Sequence, residues 1–162
     1  MLAEAQRLVT AAFDGDYTAV DWAHGLGGMH ALAWDGPSLV GHASVVARRM
    51  LHGGRALRCG YVEGVAVRAG HRGQGCASAL LAELERFVRG GYDLGALAST
   101  EAGMPLYAGR GWQAWQGTTW VLTPQGVQRT PDDDDVVHVL PGAVPLDLTG
   151  ELVCDWRDGD VW

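Results

Sequence analysis

The chain has 162 residues and a mass of 17.2 kDa, and 48% of its residues are hydrophobic. This length and apolar fraction are typical of one globular domain that fills its own core. The formal net charge of −7 is unevenly distributed, since residues 1–130 carry a net +1 and residues 131–162 a net −8. A nucleic-acid binder needs a cationic surface, so we exclude that class and expect a cationic partner or a solvated acidic tail.

Cysteine content and hydropathy indicate the compartment. No apolar run approaches the ~18 residues of a membrane-spanning helix, and no secretory signal is recognisable. The three cysteines (Cys59, Cys76 and Cys154) are odd in number and lack CxxC spacing. We therefore expect reduced thiols in a cytoplasmic protein.

The first part of the chain predicts two helices followed by strands. Apolar residues recur every three or four positions over residues 2–13, which indicates a helix, and a short second helix is expected near Ala19–His24. Periodicity and turn residues predict strands at Met29–Trp34, Leu39–Arg48 and Ala56–Arg68.

The second part predicts a strand–loop–helix–strand unit and a short β-rich end. The loop is Ala69–Gly75, the helix is Cys76–Arg89 and the strand is Tyr92–Ala98. The remaining predictions are a short helix near Gly103–Gly109, a strand at Gly111–Leu122, turns at Thr123–Thr130, an acidic loop at Pro131–Asp135 and a strand at Val136–Leu140. No linker is visible, so we expect one mixed α/β domain over residues 1–162, with a parallel right-handed crossover.

The glycine-rich loop before the long helix favours phosphate binding. A helix N-terminus exposes unpaired N–H groups, glycines let an anion approach, and Arg72 adds a charged donor. A dinucleotide motif is excluded because Ser78 occupies the third glycine position, and a Walker loop is excluded because the chain has no lysine. The alternative is a glycine-rich turn without a ligand.

Several segments together carry a family resemblance. Arg72-x-x-Gly75-x-Ala77 resembles the Arg/Gln-x-x-Gly-x-Gly/Ala signature of the GNAT superfamily of N-acetyltransferases. The segments at residues 27–32, 57–68, 106–112, 129–134 and 154–162 resemble the aminoglycoside 2′-N-acetyltransferases of actinobacteria. The last segment is the most specific, because the resemblance runs through Trp162.

This resemblance implies a GNAT fold, which is a mixed central sheet flanked by helices with a splayed pair of parallel strands. The chain begins at about the first helix, so we expect the usual N-terminal strand to be absent. The resemblance also implies a homodimer that uses acetyl-CoA and no metal.

The resemblance assigns the donor site to the glycine loop and the preceding strand. Val65 and Val67 would bind the pantetheine arm through their main chain, in the manner of an added strand. The pyrophosphate would lie on backbone N–H groups of Arg72, Gly73, Gln74, Gly75, Cys76 and Ala77. A catalytic role for the Cys76 thiol is a weak alternative, because direct transfer needs no covalent intermediate.

Two residues match the family's proton-transfer groups. Glu63 would accept the proton of the attacking amine through ordered water, and Tyr107 would protonate the departing thiolate. The alternatives are a surface carboxylate for Glu63 and an aromatic packing residue for Tyr107.

The acidic end of the chain would bind the polycationic acceptor. By family match, the contacts are Asp16, Glu63, Gly64, Asp133 and the terminal carboxylate of Trp162. A family serine that contacts the acceptor corresponds to Ala98 here, and Ser99 faces the other side of its strand. Asp132, Asp134 and Asp135 would set only the local field.

The sequence leaves other functions open. One alternative is a non-catalytic module that binds aminoglycosides or acyl-CoA. Another is an acetyltransferase for a different amine, such as a polyamine or a cell-wall sugar. Glu63 and Tyr107 favour an enzyme.

Overall fold

The computed structural model describes residues 1–162 as an α/β protein. The helices are α1 (Leu2–Ala12), α2 (Ala19–Gly25), α3 (Cys76–Gly91) and α4 (Met104–Ala108). The strands are β1 (Met29–Asp35), β2 (Ser38–His52), β3 (Arg55–Val67), β4 (Leu94–Ala98), β5 (Gln113–Ala114), β6 (Thr119–Thr123), β7 (Gly126–Arg129), β8 (Val137–Pro141) and β9 (Leu152–Asp155). None of the helices combines the length and apolar character needed to cross a membrane.

The nine strands form one mixed sheet. Its order is β5-β8-β4-β3-β2-β9-β6-β7, and β1 pairs with β2 beside this path. β3 and β4 run parallel on either side of α3 in the chain, as the strand–loop–helix–strand pattern predicts. Their ladder ends at the pair Tyr61↔Ala96, although β3 continues to Val67. A short parallel ladder within a mixed sheet is consistent with the predicted fold class.

The chain consists of two compact units, and the first comprises Met1–Val46 and Val62–Phe87. It contains α1, α2, β1, most of α3 and parts of β2 and β3. Its core includes the buried side chains Ala5, Leu8, Val9, Trp22, Leu39 and Ala66. The apolar face predicted for α1 is therefore the buried face.

The second unit comprises Ala47–Tyr61 and Val88–Trp162. Within it, β9 pairs antiparallel with the end of β2 and parallel with β6, so the final strand joins two parts of the sheet. The division into two compact units does not test the prediction of a single domain over residues 1–162, which therefore stays a prediction.

The prediction of one strand over Gly111–Leu122 is wrong. Two short strands occupy this stretch, because β5 pairs with β8 whereas β6 pairs with β7 and β9. The break lies near Gly117, whose amide donates to the Leu148 carbonyl and whose Cβ position would overlap the carbonyl oxygen of Gly150. Strand propensity does not reveal such a tertiary contact.

Two strands were not predicted. The residues expected to form turns at 123–130 contain β7, which completes a hairpin with β6, and the unassigned tail contains β9. Each has only four residues, so neither gives a periodic signal long enough to recognise.

Candidate active site

Glu63 and Gly64 interrupt the regular geometry of β3. Gly64 has a φ of +58°, which belongs to the left-handed region that favours glycine. Side chains of β2 bind both carbonyls, since Ser44 Oγ donates to Glu63 O at 3.1 Å and His42 Nδ1 to Gly64 O at 2.8 Å. A Cβ on Gly64 would also lie 3.1 Å from the Tyr17 hydroxyl. Local contacts therefore hold the backbone that carries the half-buried Glu63 side chain.

The end of α2 packs against the same segment. A capping box starts the helix, in which the Thr18 hydroxyl accepts from the Asp21 amide and the Asp21 carboxylate accepts from the Thr18 amide. At the other end, a Cβ on Gly25 would lie 2.9 Å from Ser44 Oγ and 3.9 Å from Glu63 Cβ. A Cβ at position 25 would displace the Ser44 side chain, whereas its contact with Glu63 would be an ordinary one.

His42 lies next to Gly64 and shares one hydrogen bond with His30. His30 Nδ1 is 2.9 Å from His42 Nε2, and the Trp22 ring lies against both, with centroid distances of 6.0 and 5.4 Å. Burial is the main influence on both rings and lowers the pKa of each. The imidazoles are therefore biased toward their neutral forms.

The glycine-rich loop leads into α3, as predicted. Gly73 and Gly75 have φ values of +74° and +81°, and no atom lies within 4 Å of the Cβ position of either. The first bond of the helix runs from the Ala79 amide to the Gly75 carbonyl. An exposed loop before the N-terminus of a 16-residue helix fits a phosphate group, because both backbone and dipole favour an anion.

Arg72 shapes this loop through its own bonds. Its amide donates to Ala69 O, and its guanidinium donates to Val67 O and Ala12 O. The Arg72 amide is thus engaged within the loop, whereas its exposed guanidinium still contributes positive charge.

Cys76 begins α3 as a half-buried thiol whose pKa is raised by burial. A reactive cysteine needs a lowered pKa, so this environment does not activate the sulfur. All three cysteines are free thiols, and no cluster of three or more His, Cys, Asp or Glu side chains is arranged to hold a metal ion.

Tyr107 is a buried residue of α4. Its ring packs edge-on against Trp112 with a centroid distance of 6.0 Å. Burial raises the pKa of the phenol to about 12, so the hydroxyl keeps its proton at neutral pH.

Asp133 lies in a group of polar residues formed by the acidic loop and the tail. Burial and the nearby Asp160 carboxylate raise the pKa of Asp133, while a hydrogen bond with Thr130 opposes this shift. The Thr130 hydroxyl also accepts from the indole of Trp162 at 2.9 Å, and Asp160 accepts from the Trp162 amide at 3.1 Å. Two carboxylates close together are favourable once a cation lies between them.

The next residue, Asp134, has the opposite environment. Arg129 donates to both of its oxygens at 2.8 Å, and the amide and hydroxyl of Thr119 donate to Oδ1 at 2.8 Å. These bonds lower the pKa of Asp134 well below its usual range. The prediction that Asp134 only sets the local field is therefore incomplete, because its ion pair fixes the loop that carries Asp133.

A stack of cationic and aromatic side chains anchors the tail. The guanidiniums of Arg48 and Arg157 lie 4.7 and 5.2 Å from the centroid of the Tyr61 ring. Arg48 Nε also pairs with Asp155 at 2.8 Å, and Arg157 donates to a main-chain oxygen of the terminal residue, Trp162, at 2.9 Å. This stack holds the terminal residue near Thr130.

Known proteins resemble this chain in sequence. The profile described as "Acetyltransferase (GNAT) domain" matches residues 2–115. An aminoglycoside 2′-N-acetyltransferase from Mycolicibacterium fortuitum is 52% identical over 162 residues, covering 98% of this chain and 83% of the relative. The chain belongs to the GNAT acetyltransferase family.

Solved structures support the fold of this acetyltransferase. A GNAT N-acetyltransferase from Escherichia coli in complex with CoA aligns with a TM-score of 0.66 at 20% identity, covering 97% of this chain and 84% of that one. Eis1 from Mycobacterium abscessus aligns with a TM-score of 0.61 at 23% identity over 72% of this chain. The chain spans only 29% of Eis1, and 30% of a probable N-acyltransferase from Enterococcus faecalis that aligns with a TM-score of 0.61.

The site residues predicted for the acetyltransferase fall into two groups. The first unit contains Asp16, Glu63, Gly64, Val65, Val67 and the loop residues 72–77, and the second contains Tyr107, Asp133 and Trp162. Asp16 is exposed between α1 and α2, next to Tyr17. Ser99 is buried and donates to the Thr100 carbonyl, whereas Ala98 is exposed.

Sequence reasoning missed several residues of these groups, which are His30, His42, Ser44, Thr130 and Asp160. One signal was available, because His42 and Ser44 alternate within an otherwise apolar stretch of β2. Polar side chains at alternate positions of a buried strand need partners, so they indicate a nearby polar site.

Proposed function

We propose that this acetyltransferase transfers the acetyl group of acetyl-CoA to the 2′-amino group of aminoglycosides. The observation that carries the proposal is the 52% identity to an enzyme of that name, and the raised pKa of Asp133 near the Asp160 carboxylate supports it. Aminoglycosides are polycations, and a bound ammonium would relieve the repulsion between these carboxylates.

The loop before α3 would bind the donor. Backbone N–H groups of Gly73, Gln74, Gly75, Cys76 and Ala77 would receive the pyrophosphate, with the Arg72 guanidinium adding charge. Val65 and Val67 lie on the part of β3 beyond the end of its ladder with β4, which supports main-chain pairing with the pantetheine arm. Bound acetyl-CoA supplies an activated acetyl thioester.

Glu63 and Tyr107 would move the protons. Glu63 would accept the proton that the ammonium must lose before it attacks the thioester. Tyr107 keeps its proton at neutral pH, because its pKa is about 12, and would donate it to the departing thiolate.

The acceptor would contact carboxylates and backbone. Asp133 and the anchored end of the chain at Trp162 would bind its amines and hydroxyls, with Asp160 beside them. Asp16 and the Gly64 backbone would complete the contacts. Acetylation removes one positive charge from the antibiotic, and we expect resistance as the consequence.

The cellular setting is part of the same proposal. Free thiols at all three cysteines and the use of acetyl-CoA support a cytoplasmic enzyme. The family resemblance supports a homodimer, which analytical ultracentrifugation tests directly.

An acceptor screen tests the proposed reaction. CoA release is measured with acetyl-CoA and two matched groups of aminoglycosides, one carrying a 2′-amine and the other a 2′-hydroxyl. We expect turnover only in the 2′-amino group, with NMR placing the acetyl on that nitrogen. Absence of turnover with every 2′-amino compound contradicts the proposal, and turnover of polyamines alone would favour a different acceptor.

A further inference from the structure

His30 and His42 stand out among the groups that the proposed reaction does not use. His42 is a buried histidine with only 1% of its surface exposed, and both of its ring nitrogens are engaged. One nitrogen binds the carbonyl of Gly64, the residue after the proposed base. Its other partner is a second histidine, so a chain of contacts runs from β1 through β2 to β3.

The acceptor at each end determines where the protons must be. A carbonyl only accepts, so His42 Nδ1 must carry a hydrogen that it donates to Gly64 O. Nε2 of a neutral His42 is then an acceptor, and His30 Nδ1 must donate to it. The tautomer of His42 is therefore fixed by its partners on both sides.

A third contact extends the chain. The His30 ring also hydrogen-bonds the carbonyl of Gly25 at the end of α2, which raises the pKa of His30 against the effect of burial. Burial lowers the pKa of both rings, and repulsion by His30 lowers that of His42 further.

The groups that pack around the histidine pair come from α2 and β3. Trp22 of α2 packs on both rings, while the Asp21 carboxylate caps Thr18 at the start of that helix. The titratable groups beside Gly64 are Tyr17, whose hydroxyl donates to the Asp21 carbonyl, and Glu63 itself. The contact that bears on Glu63 is the hydrogen bond from His42 to the Gly64 carbonyl.

We propose that His42, oriented by His30, is a positioning residue that holds the Gly64 carbonyl and so fixes the backbone from which Glu63 extends. The inference rests on the proposed function, because it matters only if Glu63 is the base. The left-handed Gly64 departs from regular strand geometry, and its carbonyl accepts a hydrogen bond from the His42 side chain. Loss of this donor would let the base move, and small displacements of a reacting group cost much of the rate.

Substitutions at position 42 separate positioning from general destabilisation. Asn places an amide N–H near the position of Nδ1, whereas Leu fills the space without a donor. We expect His42→Leu to lower kcat by about 10–100-fold, because displacement of a reacting group by about 1 Å can cost a rate factor of that order. The KM for acetyl-CoA should change little, and His42→Asn should restore most of kcat.

His138→Asn is the matched control, because His138 is another buried strand histidine whose Nδ1 donates to a carbonyl, that of Val136. We expect it to leave kcat unchanged. Equal kcat values for His42→Leu and wild type would overturn the inference, as would an Asn variant as slow as the Leu variant.

NMR of the 15N-labelled protein tests the same arrangement without substrate. Long-range 1H–15N correlations report which ring nitrogen carries hydrogen, and we expect Nδ1–H on His42 and loss of this preference in His30→Phe. A proton on Nε2 of His42 with Nδ1 bare would overturn the inference. Failure of wild type to acetylate 2′-amino compounds would contradict the proposed function, whereas the NMR result concerns the histidines alone.

Discussion

The segment around Glu63 and the segment around Asp133 hold their carboxylates by different means. Hydrogen bonds to the backbone hold the segment around Glu63, since Ser44 and His42 bind its own and the next carbonyl and Gly25 packs beside it. Ion pairs hold the segments that carry Asp133 and Trp162, since Arg129 pairs with Asp134, Arg48 pairs with Asp155 and Arg157 binds Trp162.

This difference matches the two tasks that we propose. A base must exchange protons, and hydrogen bonds to its backbone can fix its position without using the carboxylate. A cation site must keep negative charge available, so the arginines pair with neighbouring aspartates while none of the described ion pairs includes Asp133. Activity should therefore depend on geometry around Glu63 and on charge around Asp133.

Glu63→Gln gives the largest expected effect and tests the first half of the comparison. The amide keeps the shape of the side chain but cannot accept a proton. We expect kcat/KM at neutral pH to fall by roughly 10²–10⁴-fold, which is the usual contribution of a general base. Steady-state kinetics over a range of pH measures the change.

The control for this variant is Glu83→Gln, an exposed carboxylate of α3 that pairs with Arg86. It should leave the kinetics unchanged. If Glu63→Gln shows wild-type rates at every pH, Glu63 is not the base and its surroundings need another explanation.

Tyr107→Phe should have the next largest effect, because it removes a proton donor. We expect kcat to fall by about 10²-fold, the lower end of general acid catalysis. The pKa of about 12 keeps the Tyr107 hydroxyl protonated at neutral and moderately alkaline pH. Its ionisation should therefore not lower kcat in the pH–rate profile below about pH 11. Tyr92→Phe is the control, and equal rates for the two variants would leave Tyr107 a packing residue.

The contrast between these segments also explains what the sequence could predict. The glycine loop, α3 and the parallel strands were predictable, because their signals are continuous in the chain. The strand break at Gly117 was not, since it depends on the approach of Gly150 from a distant segment.

The site was predictable only in part, because some of its contacts also join distant segments of the chain. Glu63 and Tyr107 were identified by resemblance, but His42 was not, because its role depends on Gly64, which lies 22 positions away in the chain. The separate roles of Asp133 and Asp134 could not be predicted, because four consecutive aspartates give no sequence signal that distinguishes them. The structure distinguishes Asp134 by its ion pair with Arg129.

Asp133→Asn tests the second half of the comparison. Loss of the charge should raise the KM for the aminoglycoside by about 10-fold, which corresponds to ~1.4 kcal/mol, and leave the KM for acetyl-CoA unchanged. The folded pKa of Asp133 lies above its unfolded value, so ionisation of this group disfavours folding at neutral pH. The variant should therefore keep or raise Tm.

Asp132→Asn is the control for that variant, because Asp132 is an exposed neighbour in the same loop. Added salt should weaken acceptor binding in the wild type more than in Asp133→Asn, since screening acts on the charge that the variant lacks. An acceptor KM that rises equally in both variants would mean that only net charge matters.

Asp134→Asn should produce the opposite pattern and the smallest change in catalysis. The variant loses part of the charge-assisted network with Arg129 and Thr119, which should lower the free energy of unfolding by roughly 1–2 kcal/mol and Tm by about 2–8 °C. The folded pKa of Asp134 lies below its unfolded value, so this stability is present above the unfolded pKa of about 3.9 and is lost as pH falls toward the folded value. Thermal unfolding should therefore separate wild type from variant at neutral pH and bring them together in acid. The acceptor KM should rise by less than in Asp133→Asn, and a larger rise would show that Asp134, rather than Asp133, carries the charge that the acceptor meets.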